Sequence, residues 1–108
     1  MWSVVYHPEA EAEYRSLSAA DRNAIDNAVR KIEGYGPVLP YPHQSAVRGS
    51  KSLRELRPRG GRSRVRPLYQ RFADTFVIVA IGPEAQVDSR RFDRAVRSAT
   101  SRLAEIEE

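Results

Sequence analysis

The chain has 108 residues, which predicts one domain spanning 1–108 with room for one modest hydrophobic core. It contains no cysteine, so disulfides, thiolate metal sites and cysteine nucleophiles are excluded. The net charge of +4 suits a polyanion or an acidic protein as partner, and the lack of a long apolar run or leader-like start predicts a soluble cytoplasmic protein.

Taken in order, Trp2 to Tyr6 is a β-branched and aromatic run that predicts a strand. His7-Pro8 ends it and opens a helix, with Glu9, Glu11 and Glu13 near its positive pole and Ala10, Tyr14 and Leu17 along one face. Ser18-Ala19-Ala20-Asp21 reads as a capping box. A second helix is therefore predicted from there to about Glu33, with Ile25, Ala28, Val29 and Ile32 facing inward and Gly34 ending it.

Residues 34–50 carry Gly36, Pro37, Pro40, Pro42 and Gly49, which predicts an extended connection without regular structure. Three strands should follow, Leu53 to Arg57, Ser63 to Phe72 and Thr75 to Ile81. Arg59-Gly60-Gly61-Arg62 and Ala73-Asp74 are read as the hairpin turns between them. The third strand, almost continuously apolar, is expected at the centre of the sheet and closed by Gly82-Pro83. Asp88 or Ser89 should cap a last helix whose stripe is Phe92, Val96, Ala99, Leu103 and Ile106. The predicted class is α+β: an N-terminal strand, a helical hairpin on one sheet face, a three-stranded antiparallel meander and a C-terminal helix. The pairing of the first strand stays open.

The charge is concentrated. Arg48 to Arg71 holds eight arginines and Lys51 against one acid, Glu55, a local net of +8 in a chain whose total is only +4. Strand alternation places Arg64 and Arg66 with Leu68 and Phe72 on one face, and Val65, Tyr69 and Arg71 on the other; Arg57 goes with Leu53 and Glu55. Guanidiniums on adjacent strands make a rigid array of planar donors that suits phosphate. A solvated sheet face or a protected edge would look the same in sequence. His7 and His43 are isolated, which points to neither a metal site nor a catalytic triad.

The order of elements, with Gly36-x-x-Leu39-x-x-Pro42, Lys51-x-Leu53-x-Glu55-Leu56-Arg57 and Arg66-Pro67-Leu68-Tyr69, resembles the RelE/ParE toxin superfamily, in particular its HigB-like, phage-related branch. The resemblance implies the toxin of a toxin–antitoxin pair, an endoribonuclease that cuts messenger RNA on the ribosome by attack of a ribose 2′-hydroxyl on the adjacent phosphate, without metal or cofactor. It implies phosphate binding and transition-state stabilisation by Arg57 and Arg66, and a catalytic part for Tyr69, for which packing within the sheet is the alternative. Lys51, Arg54, Arg64 and Arg71 become further RNA or phosphate contacts. The family lysine after the buried strand is missing from Ile81-Gly82-Pro83-Glu84-Ala85-Gln86-Val87-Asp88. Glu84 or Asp88 are the candidates for proton transfer there, and Arg90 or Arg91 for restoring charge. The implied partners are a cognate antitoxin, set against the arginine strands, mRNA and the ribosome. Two other readings remain, a ParE-like gyrase poison of the same fold and a non-enzymatic basic module that binds nucleic acid or protein.

Overall fold

In the computed structural model, which describes residues 2–107, strand β1 (Ser3–Tyr6) leads into helices α1 (Pro8–Arg15) and α2 (Ala19–Tyr35). Strands β2 (Gln44–Ala46), β3 (Arg54–Leu56), β4 (Val65–Phe72) and β5 (Thr75–Pro83) follow, and helix α3 (Ser89–Glu107) comes last. The sheet runs β1-β5-β4-β3-β2, antiparallel except that β1 pairs parallel with β5. The α+β class and the meander are as expected, β5 is an inner strand between β1 and β4 although β4 holds the centre of the sheet, and the open question of the first strand is answered. No α-helix among the described residues is long and apolar enough to cross a membrane.

Both sheet faces are covered. On one face Ala10, Ala28, Ile32 and Leu39 pack with Leu56, Tyr69, Phe76 and Ile78. On the other, Ala95, Ala99 and Leu103 of α3 pack with Leu53, Leu68, Val79 and Ala80. Strict alternation would send Val79 and Ala80 to opposite faces. A register shift between the Leu68–Ala80 and Tyr69–Ile78 pairs leaves Val79 as an extra residue on β5, so both lie on the α3 side.

β1 accompanies β5 only as far as Ile78. Beyond that point two distant side chains stand in for the missing strand. Glu13 accepts the Ile81 N–H at 3.0 Å, and Arg102 donates to the Val79 carbonyl at 2.8 Å while pairing with Glu13 at 2.9 Å and Glu9 at 3.2 Å. Backbone groups that a sheet edge would leave unpaired are thereby satisfied, and α1, β5 and α3 are tied together.

Several expectations are corrected. Gly34 does not end α2, because its exposed position costs the helix little; the end comes at Gly36, whose φ of 63° is left-handed and whose Cβ would lie 2.4 Å from the Trp2 ring. Residues 34–50 are not wholly irregular, since they hold a 3-10 turn, Gly36–Val38, and β2, which bonds to β3. The segment 59–62 is not a tight hairpin turn but part of a 3-10 turn with left-handed Arg59 and Gly60. Gly82-Pro83 does not close β5; both residues still pair, with Arg66 and Val65. Ile106 leaves the buried stripe at 40 % exposure, and Ala95 joins it.

Ala95 matters because a Cβ on Gly82 would sit 2.6 Å from its methyl. The glycine is what lets α3 lie this close to the sheet. Gly82→Val is therefore expected to cost about 1–3 kcal/mol by overpacking, measured by urea unfolding. An unchanged midpoint would mean that α3 is not seated on Gly82.

Candidate phosphate-binding site

Beyond the N-terminal end of α3, a cavity of about 210 Å³ is lined by Glu55, Arg57, Arg66, Glu84, Ala85 and Gln86. β3 supplies Glu55 and delivers Arg57 one residue past its end; β4 supplies Arg66, and the segment leaving β5 supplies Glu84. Glu55 pairs in register with Leu68, which places it on the α3 face with Arg57 and Arg66. The sequence alternation thus matches the structure for Glu55, Arg57, Arg66 and Leu68, whereas Arg64, expected on the same face, precedes β4 and lines a cavity beside α2.

Arg66 is the most enclosed of these, at 1 % exposure. One terminal nitrogen donates to the carbonyls of Ser63 and Val65, and the other to the Gly61 carbonyl at 3.1 Å and to Glu84 at 2.5 Å. Its Nε is buried without a hydrogen-bond partner, 3.7 Å from Glu55. Burial pulls the guanidinium below its ordinary pKa, with Glu55 and Glu84 opposing that shift and Arg57 adding to it. With its terminal nitrogens engaged by backbone and Glu84, Arg66 secures the loop and the acids; it does not present an open fork to a ligand.

Arg57 is the accessible guanidinium. Its Nε donates to the Pro42 carbonyl at 3.0 Å, one terminal nitrogen pairs with Glu55 at 2.9 Å, and its plane lies 5.3 Å from the centre of the Tyr41 ring. The other terminal nitrogen has no partner among the described residues. Gly61, at φ 94°, makes room for it, because a Cβ there would be 2.7 Å from that nitrogen. Arg57 is thus aimed and held, with one donor pair left over.

The other predicted residues lie elsewhere. Arg54, Tyr69 and Arg71 line a separate cavity on the opposite sheet face. Tyr69 is 3 % exposed, packs edge-on against Phe76 at 5.7 Å, and has its pKa raised by burial, with Arg54 opposing. Arg54 bonds Gln44, and Arg71 bonds the Ala73 carbonyl and lies over Trp2. Tyr69 is therefore a core aromatic that does not face the arginine pocket, and the catalytic grouping of Arg57, Arg66 and Tyr69 does not come together. Arg64 lies just before β4 and lines a third cavity, while Lys51 is exposed in the connection between β2 and β3.

Glu84 reaches the pocket, whereas Asp88 accepts from the Arg91 N–H in the first turn of α3. His7 caps α1, and His43 sits in the loop before β2. Among the described residues no three His, Asp or Glu side chains gather as a metal site. The residue that sequence reasoning passed over is Glu55, which joins Arg57, Arg66 and Ser45. Its signal was its isolation, the one acid in a block of net +8.

No family model matches the chain, and no curated protein matches it. Solved structures do. An arginine double mutant of the E. coli toxin RelE in the free state superimposes with a TM-score of 0.61 at 16 % identity, covering 89 % of this chain and 95 % of that one. A chain of the intact E. coli RelBE toxin–antitoxin complex gives 0.61 at 15 % identity over 78 % of this chain and 98 % of that one. The isolated E. coli RelE toxin gives 0.60 at 16 % identity over 87 % and 98 %. The chain therefore has the RelE fold, with a buried arginine and an aimed one at the end of its central strands.

Proposed function

We propose that this protein is the toxin of a toxin–antitoxin pair and an endoribonuclease that cuts messenger RNA, in the manner expected of a ribosome-dependent enzyme, with the Arg57 pocket as its reacting site. The observation that carries this reading is the held guanidinium of Arg57, with unpartnered donors facing a concave site flanked by carboxylates, on the fold shared with toxins.

In the reaction the 2′-oxygen bonds to phosphorus, the bond to the 5′-oxygen breaks, and a cyclic phosphate remains. Negative charge builds on the non-bridging oxygens, where Arg57 stabilises it. The 2′-hydroxyl proton must leave and the departing 5′-oxygen must gain one. Glu84, with one oxygen on Arg66 and its side chain 25 % exposed, is the candidate for that transfer. Arg66 acts as a positioning residue by holding Glu84 and the loop. An antitoxin with an acidic segment would cover the same pocket.

The test is to add the purified protein to a reconstituted translation reaction and map RNA 5′ ends by primer extension. New ends within translated codons, and none on naked RNA, are expected. Normal protein synthesis together with blocked DNA supercoiling would replace this reading by the gyrase one.

A further inference from the structure

A cavity of about 540 Å³ lies between the first turns of α2 and the loop before β4, lined among others by Asp21, Ala24, Arg59, Arg62, Ser63 and Arg64. It is separate from the Arg57 pocket, and the two share no lining residue. All three arginines are exposed, and none has a side-chain hydrogen bond or ion pair among the described residues. Asp21 is the one acid in the lining, which is therefore net positive.

The loop that carries these arginines is fixed. Arg59, Gly60 and Gly61 have φ values of 58°, 64° and 94°, which reverse the chain so that Arg59, Arg62 and Arg64 converge on one space. Left-handed backbone at a non-glycine residue is costly and persists only where its surroundings hold it. Here the holding group is Arg66, which takes the carbonyls of Gly61, Ser63 and Val65 from beneath. Three solvated cations would need no such frame. A backbone fixed beneath the three side chains leaves less freedom to be lost when an anion binds.

We propose that this cavity is a second phosphate subsite, which seats a backbone phosphodiester of the RNA strand outside the Arg57 pocket. The loop 59–64 then fixes the path of the strand, and the buried Arg66 links the two sites, with Glu84 on one side and the loop carbonyls on the other. The inference rests on the reading of the substrate as RNA.

The test measures binding of a labelled single-stranded 12-nucleotide RNA against salt, together with cleavage of translated mRNA in the reconstituted translation reaction. Single strands release about 0.7 counterion per phosphate contact. The triple variant Arg59→Gln, Arg62→Gln, Arg64→Gln is therefore expected to lower the slope of log K against log salt by about 0.7, the value for one phosphate, and to raise KM for translated mRNA with kcat little changed. The corresponding triple Lys variant should keep the slope. A control with the same loss of charge, Arg30→Gln, Arg48→Gln, Arg97→Gln, should keep it as well. An unchanged slope in the first variant, or an equal fall in the control, overturns the subsite while leaving the RNA reading intact. A wild-type protein that neither binds the 12-nucleotide RNA nor cuts translated mRNA overturns both.

Discussion

Arg66→Ala should unfold this protein or bring it close to unfolding, with a loss of about 3–5 kcal/mol, the range for removing one member of a buried ion pair. The total stability of a domain of this size is about 5–15 kcal/mol. The cost has several sources. Glu84 and Glu55 lose a cationic neighbour, and the carbonyls of Gly61, Ser63 and Val65 lose their donors. Urea unfolding of the variant is the measurement, and a midpoint within the error of wild type would show that the buried network is not as described. Glu84→Gln removes only a partly exposed partner and should cost far less. The double variant Arg66→Ala, Glu84→Gln should then be less destabilised than the sum of the two, because the pair interacts directly. Loss of activity in Arg66→Ala would therefore say nothing about catalysis unless the folded fraction is measured beside it.

Arg57→Ala is the complementary case, a folded protein expected to lose RNA cleavage by about 10²–10³-fold in kcat, the usual size for one donor aimed at developing negative charge. The side chain is partly exposed and makes one backbone hydrogen bond and one ion pair, so the fold should tolerate its removal. Arg57→Lys should recover little, since an ammonium on a flexible stem cannot reach the Pro42 carbonyl, Glu55 and a phosphate together. Single-turnover cleavage in the reconstituted translation reaction separates this effect from binding. If Arg57→Ala cuts at the wild-type rate, the reacting site lies outside this pocket. The cavity holding Arg54 and Arg71 would be the next to test.

Much of the fold was legible in the chain because local patterns and tertiary packing agree. Ser18 accepts the Asp21 N–H as the capping pattern required, the run from Thr75 became an inner strand between β1 and β4, and Ala73-Asp74 made the tight turn. Legibility failed where a distant residue decided the outcome. The end of α2 depends on the Trp2 ring over Gly36, and β2 exists because β3 offers it a register. The stand-in for a strand beside β5 joins Glu13 to Arg102, residues 89 apart in the chain. No local pattern carries such a pair.

The same division runs through the site. The sequence by itself determined that a cationic block of net +8 spans two strands, their connection and the segment leading into them, and that Arg57 shares a face with Glu55, because side-chain direction follows from strand period alone. Only the tertiary structure decided which guanidinium is free. Arg66 and Arg57 are the same residue type in neighbouring strands, yet the carbonyls of a left-handed loop and the Glu84 carboxylate close around one of them, while Pro42, Tyr41 and Glu55 leave the other with a donor to spare. Burial and the identity of hydrogen-bond partners are properties of the folded chain, and they turned a uniform basic patch into one structural arginine, one aimed arginine and a ring of three.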